Sequence, residues 1–341
     1  MPRSSLIVPA RDAVTRLGRS LRALLAQTDP DFEILVVDDG SCDGSQASVR
    51  ALRSPRIRLI QQRPRGMAGA LNTGIAHARG TFIGFCPPGA VWHPGKLEAH
   101  VRQLSSDPAL GLSYSARLLM TGGGADLPDP APTGPRRLNA VRLLRDDPVG
   151  DAAGVVMRRA ALEAIAFRPA GEILRDWWFD ETCPEGDGAR DAWLRLALTS
   201  DWDLRGLPRP LLRSPLERAV PTEAEWQALC ARAGRLAPAL ASRHADPAAA
   251  LRLRRIARLR LLDGDIPGAG AALRRAWQSA PLTLVGDALP SLEMLRALAR
   301  ARHPRPETPK APAGLPAHPT LFLARSALQK DRPHAAHRSP R

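Results

Sequence analysis

The run Ile34-Leu35-Val36-Val37 passes without interruption into Asp38-Asp39-Gly40-Ser41, and this junction constrains the fold more than any other stretch of the chain. A short β-branched run that stops at two carboxylates, a glycine and a serine is what a buried strand presents at the carboxyl edge of a parallel sheet. Open α/β sheets bind their ligands along that edge. The pattern recurs on both sides: strand signals at 5–8, 33–37, 57–61, 82–86 and 110–119 alternate with helical ones at 14–26, 44–52, 66–78 and 96–104. Such alternation requires crossover connections and predicts an α/β fold with a mostly parallel, doubly wound sheet.

Further along, 122–137 breaks the alternation with a glycine triplet and four prolines, which reads as a mobile surface loop. Core-like segments resume as strand into helix at 155–165 and helix at 191–198. A closing edge strand is expected at 204–212, punctuated by Pro208 and Pro210. The sheet domain is expected to span 1–215. Residues 216–302 are helical by composition, with breaks at Asp246-Pro247, Gly264, Pro281 and Pro290. Within them Leu261-Leu262-Asp263-Gly264-Asp265, followed by Ala269, Leu273, Ala276 and Pro281, is similar to one tetratricopeptide-like hairpin; a helical bundle packed on the sheet domain is the simpler alternative. Residues 303–341 carry eight prolines and seven Arg or Lys against two acids, the composition of a disordered basic tail.

Charge and cysteine usage narrow the function classes. The formal net charge is +15, yet the basic residues are spread over the whole length and nearly all are arginine, lysine standing only at 96, 310 and 330. With one tyrosine and six phenylalanines there is no aromatic and basic interleaving of the kind that stacks bases, so nucleic acid is not an expected partner. Cys42, Cys86, Cys183 and Cys230 form no C-x-x-C pair, which points away from a zinc knuckle or disulfide framework and toward a reducing cytoplasm. Residues 1–10 lack the apolar stretch of a signal peptide and no segment approaches a membrane span. Any membrane contact is therefore expected to be peripheral, at an inner face, with the basic tail attracted to anionic lipid.

Four segments stand out in order: Ser5-Leu6-Ile7-Val8-Pro9-Ala10-Arg11-Asp12; Leu24 through Gln27 and Asp31-Phe32-Glu33 leading into Asp38-Asp39-Gly40-Ser41; Arg65-Gly66 through Asn72-Thr73-Gly74-Ile75; and Trp92-His93-Pro94 before Lys96-Leu97. Together they resemble the family 2 glycosyltransferases of the GT-A fold. The resemblance is dense over the first 105 residues and sparser to about 213. It implies a nucleotide-sugar partner, UDP-type favoured, with Pro9, Ala10 and Arg11 lining base and ribose, Asp39 accepting from a uracil-type ring, and Asp38 and Asn72 in the same donor site. An ionised acceptor in a partly dry cleft gives a charge-assisted bond and hence base selectivity. The alternative is that Asp38 and Asp39 cap the following turn and helix together with Ser41 and Asp43.

The resemblance also implies an Asp-x-Asp box after the fourth strand that holds Mg²⁺ or Mn²⁺. Here Pro87 and Gly89 stand at those places, and neither offers a side-chain oxygen to a hard cation. No metal ligand is assigned and the Mg/Mn site is expected to be lost. A bound metal ordinarily stabilises the leaving diphosphate by several kcal/mol. Arg11, Arg63 and Arg65 are candidate substitutes through bidentate phosphate contacts, or else ordinary surface arginines. Cys86 with His93 is a conceivable soft-metal pair, a buried thiol being the commoner case. The family's Glu-Asp base pair, which precedes a Trp-Leu-Arg helix, falls on Gly188-Ala189; Asp187 lies slightly early and Asp191 two residues late. Asp187 and Asp191 are the candidate bases, Glu185 a weaker one, and Asp191 alternatively an acid favoured near a helix start. Phe179-Asp180-Glu181-Thr182 matches a further family pattern, with Trp177 and Trp178 as acceptor-side aromatics or core. The expected function is inverting sugar transfer from a nucleotide sugar to an unknown saccharide, lipid or protein acceptor, in the manner of polysaccharide biosynthesis. Its rival is a catalytically degenerate nucleotide-sugar-binding or scaffold subunit.

Overall fold

A computed structural model describes residues 1–121, 126–128, 138–182, 186, 188–286 and 295–296. The parallel core is built from β1 (Ser4–Ala10), β2 (Phe32–Asp38), β3 (Ile57–Gln61) and β4 (Phe82–Phe85), in the spatial order β3-β2-β1-β4. The connections are α1 (Val14–Leu25), α2 (Ser45–Ala51) and α3 (Gly66–His77). After β4 come the two-residue β5 (Val91–Trp92), α4 (Lys96–Ser106) and β6 (Leu110–Met120), then β7 (Asp126–Pro128), α5 (Ala140–Asp146), β8 (Val155–Arg158) and α6 (Arg159–Glu163). Next are α7 (Ala189–Thr199) and β9 (Asp203–Pro215). β8 joins β4 and β6 antiparallel, and β9 runs parallel to β6. The register puts Ala10 beside Asp38 and Asp38 beside Gln61, so β1, β2 and β3 end together along one edge.

The period-two alternation of these strands feeds two apolar layers. Ile7, Ile83 and Phe85 face one side with Leu71 and Ile75 of α3 and Trp193 of α7. Leu6, Val8 and Phe82 face the other with Leu17, Leu21 and Leu24 of α1 and Leu97 and Val101 of α4. Helices thus cover both faces, as the alternation of the sequence predicts. Close packing explains two glycines. A β-carbon on Gly74 would stand 2.3 Å from Ile7 Cγ2, and one on Gly80 would meet Ser4 backbone at 2.6 Å.

Three local expectations are corrected. β9 extends over Asp203–Pro215 and is not an edge strand, because β5 pairs Val91 and Trp92 with Arg213 and Leu212 on its outer side. Its prolines are accommodated where the β6 register shifts around Ala116. Inside the expected loop at 122–137, β7 pairs antiparallel with β6; the rest of that segment lies outside the described residues.

The helices that follow are α8 (Glu223–Leu236), α9 (Pro238–Leu262), α10 (Ile266–Ser279) and α11 (Pro281–Gly286). Thr222 and Glu225 form a reciprocal capping box that starts α8. The third correction is here: Asp246-Pro247 does not break the chain, and α9 runs straight through Pro247. α9 and α10 form a hairpin around Gly264, whose φ of +86° favours glycine. Trp226, Leu229 and Ala233 of α8 and Ala248 of α9 share one apolar cluster with Leu144 of α5 and Leu194 of α7. The basic tail at 303–341 lies outside the described residues.

Candidate active site

The loops after β1 and β2 are latched to each other. The Asp12 amide donates to Ser41 Oγ, the Cys42 amide to Asp12 Oδ1 and the Ala13 amide to Ser45 Oγ, at 2.8–3.0 Å. Asp43 serves two helix starts at once. Its Oδ2 accepts from the Val14 amide at 2.9 Å and its Oδ1 from the Ser45 amide and hydroxyl. These bonds, the Ser45 hydroxyl first, hold the Asp43 carboxyl below its ordinary pKa.

This scaffold leaves a cavity of about 270 Å³ at the sheet edge, bordered by Pro9, Ala10, Arg11 and Asp39, with Arg16, Gly66 and Pro88 opposite. Asp39 is buried, at 2% exposure. Its Oδ1 accepts from the Arg65 amide and from Gln62 Nε2, both at 2.7 Å, and its Oδ2 accepts from the Gly66 amide at 2.9 Å. The carboxylate therefore caps α3, whose amino end it meets across the sheet, and not the α2 helix that follows it in sequence. A carboxylate offers about four lone-pair sites, and three are filled. The remaining one is on Oδ2, the oxygen that also faces the Arg11 guanidinium at 4.0 Å.

The other sequence candidates separate. Asp38 is buried with Oδ2 accepting from Gln46 Nε2 at 2.8 Å, while its Oδ1 has no hydrogen-bond partner, and it does not border the cavity. Arg63 is exposed and also outside the lining. Arg65 directs its guanidinium away, in a two-bond fork to Glu181 with a third bond to Thr73 Oγ1 at 3.2 Å. Asn72 is buried and fully engaged: Nδ2 donates to Phe179 O and Glu181 Oε1, and Oδ1 accepts from the Trp178 and Phe179 amides, at 2.8–3.0 Å. It ties α3 to the 178–181 segment. Asp191 accepts from Arg195 Nε at 2.9 Å and Arg232 Nε at 2.7 Å. Arg232 also binds Asp180 at 2.7 Å, beside a second cavity of about 260 Å³ between α7 and α8. Asp187 and Glu185 lie outside the described residues. Trp177 forms an antiparallel bridge with Phe167, and Trp178 packs against the core.

The segment where the resemblance puts an acidic box is a tight turn, Pro87-Pro88-Gly89-Ala90, closed by the Ala90 amide on Pro87 O at 3.1 Å. Gly89 has φ +93°, the conformation glycine supplies at the third position of a type II turn. Segment 86–90 has no carboxylate, and among the described residues no group of three or more His, Cys, Asp or Glu is placed to hold a metal ion. The donor set does not fit Mg²⁺ or Mn²⁺, which require oxygen ligands. Cys86 and His93 belong to no such group.

Sequence reasoning did not find Gln62, Arg16 or Arg232. Gln62 and Arg16 lie in no motif, and Arg232 reaches the site only because α8 folds back. Glu181 was visible within Phe179-Asp180-Glu181-Thr182, without its partner.

The sheet order, the cleft at the β1 and β2 edge and the helices on both faces define a GT-A domain. The fold aligns with that of S. aureus TarS 1-349 at a TM-score of 0.56 and 16% identity, covering 88% of this chain and 91% of that one. The family model of glycosyl transferase family 2 matches residues 5–166, and this part of the chain belongs to that family. Similar sequences include an uncharacterized glycosyltransferase, alr2836, of Nostoc sp., 34% identical over 113 residues. That match covers 32% of this chain and 35% of the relative. Another is the E. coli UDP-Glc:alpha-D-GlcNAc-diphosphoundecaprenol beta-1,3-glucosyltransferase WfgD, 34% identical over 101 residues, covering 29% and 40%. The chain thus spans well under half the length of these two relatives.

Proposed function

We propose that the cavity beside Asp39 binds a nucleotide sugar and that the protein transfers its sugar, with inversion, to an acceptor. The observation that carries this reading is the single open lone-pair site of a buried Asp39 between Pro9-Ala10-Arg11 and the start of α3. It matches one ring N–H flanked by carbonyls, the edge of a uracil-type base. WfgD is named for transfer from UDP-Glc, and TarS has been crystallised with UDP-GlcNAc, which supports a UDP-type donor. Asp187 is the favoured base for deprotonating the acceptor hydroxyl, since Asp191 is already engaged by two guanidiniums. The acceptor is a saccharide, lipid or protein. No helix among the described residues is long and apolar enough to cross a membrane. Ile173 and Leu174, 79% and 83% exposed on the 168–176 loop, support peripheral contact with a bilayer.

A second reading has its own support. With no carboxylate at 86–90 and Asp191 held by arginines, a nucleotide-sugar-binding or scaffold subunit without turnover fits the same cavity. Donor hydrolysis and transfer measured over a panel of nucleotide sugars, with and without Mn²⁺, decide between them. Turnover abolished by Asp187→Asn supports the enzyme; nucleotide binding with no turnover on any donor supports the subunit; absence of binding removes both.

A further inference from the structure

We infer that Arg16 replaces the divalent cation of the family's donor site, placing a guanidinium where the diphosphate of a nucleotide donor would lie. The inference rests on the nucleotide-binding reading above and goes beyond it by naming what neutralises the phosphates.

The geometry begins with Ser20 of α1. Its hydroxyl accepts from the Gly89 amide at 3.0 Å and donates to Ala90 O at 2.8 Å, so α1 is pinned to the Pro87–Ala90 turn. Arg16 lies one helical turn earlier on the same face, and residues four apart are neighbours there. It is thereby brought against the turn: a β-carbon built on Gly89 would stand 3.5 Å from Arg16 Cδ. Arg16 and Pro88 border the same cavity as Arg11 and Asp39.

Charge makes the exchange coherent. Among the cavity's lining residues Arg11 and Arg16 are cationic and Asp39 alone is anionic, which suits an anionic ligand. An aspartate at 89 would carry its carboxylate beside the Arg16 side chain, and it would have to adopt φ +93°. A turn without acids and an arginine beside it thus meet at one border of the cavity. Arg16 faces Glu217 at 3.5 Å, and both side chains are more than half exposed. Such a pair is weak and exchanges readily for a phosphate, which a guanidinium grips through a planar fork.

The test is calorimetric titration of the full chain in EDTA with uridine and UDP, and with guanosine and GDP in parallel, for the wild type, Arg16→Ala and Arg16→Lys. Arg16 is exposed enough that a thermal melt should be unchanged by either substitution. The expected result is that the diphosphate binds more tightly than its nucleoside without any divalent cation. Arg16→Ala should lower diphosphate affinity about tenfold to a hundredfold, the range of one charge-assisted bond, and leave the nucleoside unchanged. Arg16→Lys should fall between. Nucleoside binding with a diphosphate advantage that needs Mn²⁺, or that survives Arg16→Ala, overturns the role of Arg16 while sparing the cleft. Failure of every nucleoside and nucleotide to bind the wild type overturns the cleft itself.

Discussion

At the scale of single residues the cleft depends on who holds whom. Asp39 takes three N–H donors, so Asp39→Asn must turn an NH₂ group toward the Arg65 amide, Gln62 or the Gly66 amide. The variant should lose about 1–3 kcal/mol in a urea titration, since a buried donor then faces donors, and it should no longer bind nucleoside. Arg65 and Arg63 are alike in sequence and opposite in consequence. Arg65→Ala leaves the Glu181 carboxylate, at 7% side-chain exposure, with Asn72 and with Arg175 at 3.8 Å. It should destabilise by about 1–3 kcal/mol, against less than about 0.5 kcal/mol for Arg63→Ala, in parallel denaturant titrations. The pairing of Arg65 with Glu181 was not legible in the sequence, because the two are 116 positions apart and meet only through the fold. Asp39 was legible as an acid at the carboxyl edge of the sheet, although α3 as the helix it caps was not.

Among the elements, α1 and α9 show how packing decides what propensity leaves open. α1 buries Leu17, Leu21 and Leu24 at helical spacing, which the sequence displays plainly. α9 contains a proline that ordinarily ends a helix, because Pro247 removes the bond to the Arg243 carbonyl and crowds it. The helix continues because Ala248, Ala250 and Leu253, just beyond, are buried against neighbouring helices. Pro247→Ala should therefore stabilise the protein by about 1–3 kcal/mol, the interior-proline penalty less the entropy returned to the unfolded chain, measurable as a higher denaturant midpoint. An unchanged midpoint would mean that the helix has adapted fully to the ring.

For the whole molecule, the informative group is Lys96, buried completely at the start of α4. Its ammonium meets His100 Nε2 at 2.8 Å, Gly154 O at 2.9 Å and Ser115 Oγ at 3.2 Å, over the Trp92 ring. Burial lowers its pKa to about 7 from 10.5, and burial followed by the charge of Lys96 lowers His100 well below 6.5. Between about 7 and 10.5 the unfolded chain carries a proton that the folded chain releases, so stability rises with pH across that window. Below 6.5 the unfolded histidine gains a proton that the folded one resists, and stability falls further with acid. Denaturant midpoints from pH 6 to pH 10 should rise, and Lys96→Met should flatten the slope above pH 7. Sequence alone determined the alternating α/β plan, the edge where Asp38 and Asp39 emerge and the absence of acids at 86–90, because hydrophobic period and residue chemistry are local. Only the tertiary structure decided that Asp39 caps α3, that Glu181 holds Arg65, that Arg232 holds Asp180 and Asp191, and that Arg16 stands beside Gly89. Each of these is a meeting of side chains from separate elements, and the sheet order that brings them within bonding distance is written in no single segment.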